Sequence, residues 1–123
     1  MASEDVSETL TGPASAPLLA LDALAPGTFA AVDALLDGIE EPLILHRAAD
    51  GAVRAWLNVC PHAGRRLDWA PGRFLVSKDG LLVCAVHGAA FEAVGGVCEA
   101  GPCRGESLRA VAVQVRDGAV WLA

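Results

Sequence analysis

The sequence predicts an all-β domain of antiparallel sheets, and two features of its texture carry that expectation. Turn dipeptides recur along the chain at Pro26-Gly27, Asp37-Gly38, Asp50-Gly51, Asp79-Gly80 and Asp117-Gly118. The apolar runs between them are about four to six residues long, the length and punctuation of strands joined by tight turns. The second feature is alternation. Val111, Val113 and Val115 interleave with Ala112, Gln114 and Arg116, so each set falls on one face of a pleated strand.

Taken in order, residues 1–16 mix Ser, Glu, Thr, Pro and Ala without a period, and a mobile tail is expected there, followed by a single domain over 17–123. Phe29–Val32 reads as an early strand, with a helix at Val32–Leu36 as the competing assignment. Leu43–His46 and Val53–Asn58 flank Ala49-Asp50-Gly51 as a hairpin. Arg73–Ser77 and Leu81–Cys84 form another around Lys78-Asp79-Gly80. Ala90–Glu92 and Val97-Cys98 pair across Val94-Gly95-Gly96, and Val111–Arg116 pairs with Ala119–Leu122 across Asp117-Gly118. A base sheet from residues 18–57 and 104–123 thus carries an inserted subdomain over about 58–103.

Composition narrows the function. A chain of 123 residues, 54% apolar and 20% charged, supports one core, and much of its apolar share is alanine, so that core is thin. A net charge of −6 argues against nucleic acid, which needs a basic face. The acidic start has no basic region followed by an apolar core, and no apolar run approaches the roughly eighteen residues of a membrane span. The expectation is a cytoplasmic protein without membrane association. In that reducing setting four cysteines favour metal binding over disulfides.

The chemistry concentrates in one stretch. Cys60-Pro61-His62 is followed after twenty-one residues by Cys84-Ala85-Val86-His87, and each Cys/His pair is trailed by a glycine, Gly64 or Gly88. Thiolates and imidazoles at such short spacing suit a transition metal. A structural zinc site has the same inventory but a different grammar, since zinc modules pair Cys with Cys and His with His. Here each half mixes the two.

The pattern C-x-H…C-x2-H resembles the Rieske [2Fe–2S] family, in which two Cys hold one iron and two His the other. The resemblance spans about residues 18–122. It implies stacked antiparallel sheets with the cluster at the tip of the inserted part, and it makes Cys60, His62, Cys84 and His87 the cofactor-binding, metal-ligating set. With neutral imidazoles the oxidised cluster carries no net charge, which raises its potential above that of all-Cys clusters. High-potential respiratory members have a Ser two residues and a Tyr four residues after the second His, and an extra Cys after each ligand pair. Here those positions are Ala89 and Phe91, and neither ligand segment carries another Cys. The low-potential, ferredoxin-like branch is implied. Rieske oxygenases append a large iron-containing domain, and the chain stops at Ala123. The expected function is therefore a non-catalytic, one-electron carrier between a reductase and a terminal oxygenase or other oxidoreductase. A relay or sensor subunit and a zinc-stabilised interaction module stand as alternatives.

Other residues receive lesser roles. Gly64 and Gly88 are expected to let backbone N–H groups approach the cluster sulfurs. Gly101-Pro102 matches the proline loop that covers the cluster in relatives. Cys98 and Cys103 read as small buried thiols near that cover rather than as a disulfide, with a redox role as the alternative. Arg65 and Arg66 are candidates for docking an acidic partner, and Trp56, Trp69 and Trp121 for core or hairpin anchors. His46 has no partner motif and receives no ligand role.

Overall fold

A computed structural model describes residues 16–61, 64–85 and 88–123. His62 and His87 fall outside the described residues, as does all but Ala16 of the expected tail. Apart from one 3-10 turn at Leu21–Ala23, the described chain is built from short and medium strands in three antiparallel sheets.

The longest pairing comes from the most local signal. Strands β2 (Phe29–Leu36) and β3 (Ile39–Arg47) pair without a break from Phe29↔His46 to Leu36↔Ile39. Asp37 and Gly38 between them have φ of 54° and 81°. Two positive φ values give the mirror-image turn whose twist matches that of the flanking strands. The turn folds Ile39 back onto Leu36, so every residue of Val32–Leu36 gains a cross-strand partner. The competing helix there is overturned: five residues offer too few internal bonds to offset helix nucleation.

Strand β4 (Val53–Leu57) completes the expected hairpin with β3, and β9 (Ala110–Val111) adds beyond it, giving the order β2-β3-β4-β9. Pro42 is tolerated within central β3 because it lies past the last β4 partner of that strand, Leu43↔Leu57. Its carbonyl still accepts a hydrogen bond from the Asn58 N–H at 2.8 Å.

A second sheet joins β1 (Leu19–Ala20), β11 (Ala119–Leu122) and β10 (Val113–Arg116) in the order β1-β11-β10. The expected single strand Val111–Arg116 is therefore two. Ala110–Val111 belongs to one sheet and Val113–Arg116 to the other, and the chain turns the corner at Ala112. The third sheet, order β5-β6-β7-β8, uses Leu75–Val76, Leu82–Val83, Ala90–Phe91 and Cys98–Ala100. Both inserted hairpins form as read, but with strands of two or three residues and a bulge at Ala90/Phe91.

Alternation in β3 lets one sheet serve two cores. Ile44 and its partner Trp56 face Leu67, Leu82 and Phe91 of the inserted part, together with Leu108. Leu45 and its partner Ala55 face Leu24 and Val120 of the base. All four cysteines lie in the first core, so the candidate metal centre is embedded in the apolar contact between insert and base. The tryptophans divide by environment. Trp56 is buried, and a Cβ on Gly96 would stand 2.7 Å from its Nε1. Trp121 anchors its hairpin through an Nε1–H bond to the Arg116 carbonyl, with the Arg116 guanidinium 3.9 Å over its ring. Trp69, expected as a core or hairpin anchor, is 56% exposed beside Arg73. Among the described residues no helix is long and apolar enough to cross a membrane.

Candidate metal centre

Two loops with the same backbone closure present Cys60 and Cys84. In the first, the Cys60 N–H donates to the Arg65 carbonyl at 2.8 Å and the Gly64 N–H donates to the Cys60 carbonyl at 2.8 Å. In the second, the Cys84 N–H donates to the Ala89 carbonyl at 2.7 Å and the Gly88 N–H to the Cys84 carbonyl at 2.9 Å. Each cysteine opens a six-residue loop and each glycine sits four residues on. Gly64 and Gly88 have φ of 67° and 75°, a conformation that costs a residue with a Cβ roughly 1 kcal/mol or more. Among the described residues, chain neighbours aside, a Cβ at either would meet no atom within 4 Å, so the demand seen there is the sign of φ.

The first loop is held at its base by a polar clasp of Asn58, Asp68 and Arg66. Asn58 is fully buried; its Oδ1 accepts from the Leu67 N–H at 2.8 Å and its Nδ2 donates to Asp68 Oδ1 at 3.0 Å. Asp68 also accepts from the Gly72 N–H at 3.1 Å and from Arg66 through Nε and a terminal nitrogen, both at 2.9 Å. Burial pushes the Asp68 carboxyl up, but Arg66, the Gly72 N–H and Asn58 together outweigh it and hold it below its ordinary value. A buried Asn two residues before the first Cys, with an Asp six residues after the first His, was the available signal. Only burial gives it meaning. Of the two arginines considered for docking, Arg66 is thus committed inward to Asp68. Arg65 is exposed, and no ion pair to it is seen among the described residues.

The second loop is held by shape. Residues 98–103 turn over it, and at Gly101, where φ is 97°, a Cβ would lie 2.8 Å from the Ala89 Cα. That contact sets Gly101 against the Cys84 loop. At the ends of the turn the Cys103 thiol donates to Cys98 Sγ at 2.9 Å, and the Cys98 thiol donates to the Ala100 carbonyl at 3.1 Å. Burial first, then Cys98, pushes the Cys103 thiol up to about 12. Ala89 and Phe91 are both fully buried. His46 lies on β3 with its ring tilted 36° to that of Phe29 at 4.4 Å, and burial and Arg54 hold it below its ordinary value.

The residues described fit an iron–sulfur cofactor. Cys60 and Cys84 are soft donors, buried, and packed with Leu67, Ala89 and Phe91 in one apolar core. Duplicate loops are what a cofactor with two equivalent thiolate ligands requires. The two histidines of the motif complete the donor set in sequence and lie outside the described residues.

Comparison with known proteins agrees. Residues 16–115 match the model of the Rieske [2Fe-2S] domain. The oxygenase component of dicamba O-demethylase from Stenotrophomonas maltophilia is 36% identical over a match covering 68% of this chain, which spans only 25% of that relative. Among solved structures, the ferredoxin of carbazole 1,9a-dioxygenase from Nocardioides aromaticivorans IC177 superposes with a TM-score of 0.68 at 28% identity. The match covers 88% of this chain and 95% of that one. The terminal oxygenase of the same system also gives 0.68 and 28%, over 86% of this chain but 29% of the oxygenase.

Proposed function

The chain belongs to the Rieske [2Fe-2S] domain family, and from that premise we propose that it is a ferredoxin-type, one-electron carrier of an oxygenase system, with Cys60 and Cys84 holding one iron and His62 and His87 the other. The single observation that carries the reading is the near-complete overlap with a ferredoxin, 95% of whose chain is matched, set beside duplicate loops for two buried thiols. When bound, the cluster supplies one reversible electron at a potential between about −150 and +300 mV.

The rest falls to the protein. Buried Cys60 and Cys84 sit in a low-dielectric core that keeps water from the thiolates. The Asn58–Asp68–Arg66 clasp fixes the first ligand loop to the end of β4, and Gly101 pins the second from above. Fixed loops keep the donor atoms in place in both oxidation states, so little reorganisation opposes electron transfer. With Ala89 and Phe91 in the positions where respiratory members place hydroxyls, no side-chain donor is available there to favour the reduced state. We place the midpoint near the lower end of the family range, at about −150 mV. The partners are then a reductase and a terminal oxygenase or related oxidoreductase. A cytoplasmic setting belongs to the same proposal, as a reducing compartment in which cysteines serve metal binding rather than structural disulfides.

Iron and acid-labile sulfide analysis of the red-brown protein tests the reading: about two of each per chain are expected, with the anisotropic, low-average EPR signal of mixed His/Cys ligation on reduction. Stoichiometric zinc without sulfide would mark a zinc-stabilised module instead. His62→Cys or His87→Cys is expected to retain iron while losing that signature, and loss of colour with Cys60→Ser or Cys84→Ser completes the ligand set.

A further inference from the structure

We propose that Cys98 and Cys103 form a reversible disulfide site that locks the turn covering the second ligand loop. The function above makes no use of either residue. Their sulfurs stand 2.9 Å apart, so closing the bond to about 2.05 Å needs a movement of less than about 1 Å. The backbone already holds them in opposition. The Cys98 N–H donates to the Glu106 carbonyl at 2.7 Å, the Gly105 N–H to the Cys98 carbonyl at 3.0 Å, and the Glu106 N–H to the Cys103 carbonyl at 2.8 Å.

Both thiols are buried, but the segment joining them, Glu99 to Pro102, is exposed throughout. One turn opening therefore brings the pair to solvent. The same turn rests on Ala89 through Gly101, and the Ala89 carbonyl closes the Cys84 loop. A bond between Cys98 and Cys103 thus ties down the ground on which a cluster ligand stands.

The chemistry balances with a low-molecular-weight disulfide such as oxidised glutathione as oxidant. With the turn open, one cysteine sulfur attacks it and expels one thiol. The other then attacks the mixed disulfide and expels the second. Two protein thiols lose two protons and two electrons, and one external disulfide becomes two thiols. The second step is intramolecular between groups already in contact, which favours the internal disulfide over the mixed one.

The test equilibrates the intact, cluster-loaded protein without oxygen across a series of oxidised and reduced glutathione. Samples are then denatured, alkylated and cut with trypsin. The peptide Asp79–Arg104 carries Cys84, Cys98 and Cys103. At the oxidised end it is expected with one alkyl group and an internal Cys98–Cys103 bond, visible absorbance intact, and with three alkyl groups again after return to reduced glutathione. Oxidised protein is also expected to release iron to a chelator several-fold more slowly. Three alkyl groups throughout, a persistent glutathione adduct, or bleaching that precedes the bond would each overturn the site. Equal iron release in both states would overturn the lock. Peptide mass reads the bond without reference to the cluster, so failure of the electron-carrier reading would leave this result intact.

Discussion

Asp68 is the carboxylate on which the first ligand loop depends, because four hydrogen bonds from three residues converge on a side chain with no exposure to solvent, and only Arg66 brings a compensating charge. Asp68→Asn keeps the shape but turns one accepting atom into a donor facing other donors. It is expected to lower stability by about 2 kcal/mol, a figure that discounts the half-exposed Arg66. The folded carboxyl is held below its ordinary value of 3.8. Its contribution is therefore complete above about pH 4 and is lost as pH falls through the lower, folded value. Urea unfolding of both proteins across pH checks this: the gap should be constant from neutrality to about pH 4 and close below it. A gap that persists in acid would mean the charge is not its source. Potential is set by other single residues. Ala89→Ser and Phe91→Tyr are each expected to raise the midpoint measured by voltammetry from about −150 mV, and together to raise it further. A wild-type midpoint well above zero would show that backbone donors already do what the missing hydroxyls would. The four candidate ligand positions could be proposed from the sequence because their spacing is itself chemistry, and the structure describes two of them, Cys60 and Cys84. Asp68 could not be, because nothing local to Leu67-Asp68-Trp69 tells which of the three turns inward, and it is the tryptophan that stays out.

Elements were legible where a turn dictates them. Asp37-Gly38 and Asp117-Gly118 both take two positive φ values and set the register of the strands they join. The corner at Ala112 was not, since alternation runs smoothly from Val111 to Val115 and only the geometry of two stacked sheets divides it. The same distinction separates two kinds of glycine. Gly80 and Gly101 have φ of 84° and 97°, but a Cβ on Gly80 meets nothing while one on Gly101 lies 2.8 Å from the Ala89 Cα. Gly80→Ala is expected to cost about 1 kcal/mol from backbone conformation alone. Gly101→Ala adds displacement of the cover and is expected to cost about 2–4 kcal/mol and to speed iron loss to a chelator. Thermal melts of the two variants, run beside the wild type, give the difference. Equal losses would show that the cover yields freely.

At the scale of the whole molecule, charge is the quantity that a partner meets first. The chain carries a net −6, so an acidic partner is repelled at long range and needs a local exception to dock. The pair Arg65-Arg66 is that exception in the sequence, and the structure splits it. Arg66 is spent on Asp68, so steering rests on Arg65, exposed at the end of the loop that Cys60 opens. Two variants with the same change in charge should therefore behave differently. Arg65→Glu is expected to slow electron transfer to an acidic partner several-fold at low ionic strength. The effect should shrink as the Debye length falls to about 8 Å near 0.15 M salt, with stability and midpoint unchanged. Arg66→Glu sets a carboxylate against Asp68 and is expected to lower stability and cluster retention at every salt concentration. Stopped-flow rates over a salt series, paired with melting of the same samples, distinguish them. If Arg65→Glu and wild type transfer electrons equally fast at low salt, Arg65 is only solvated, and approach to the partner is governed by shape around the ligand loops.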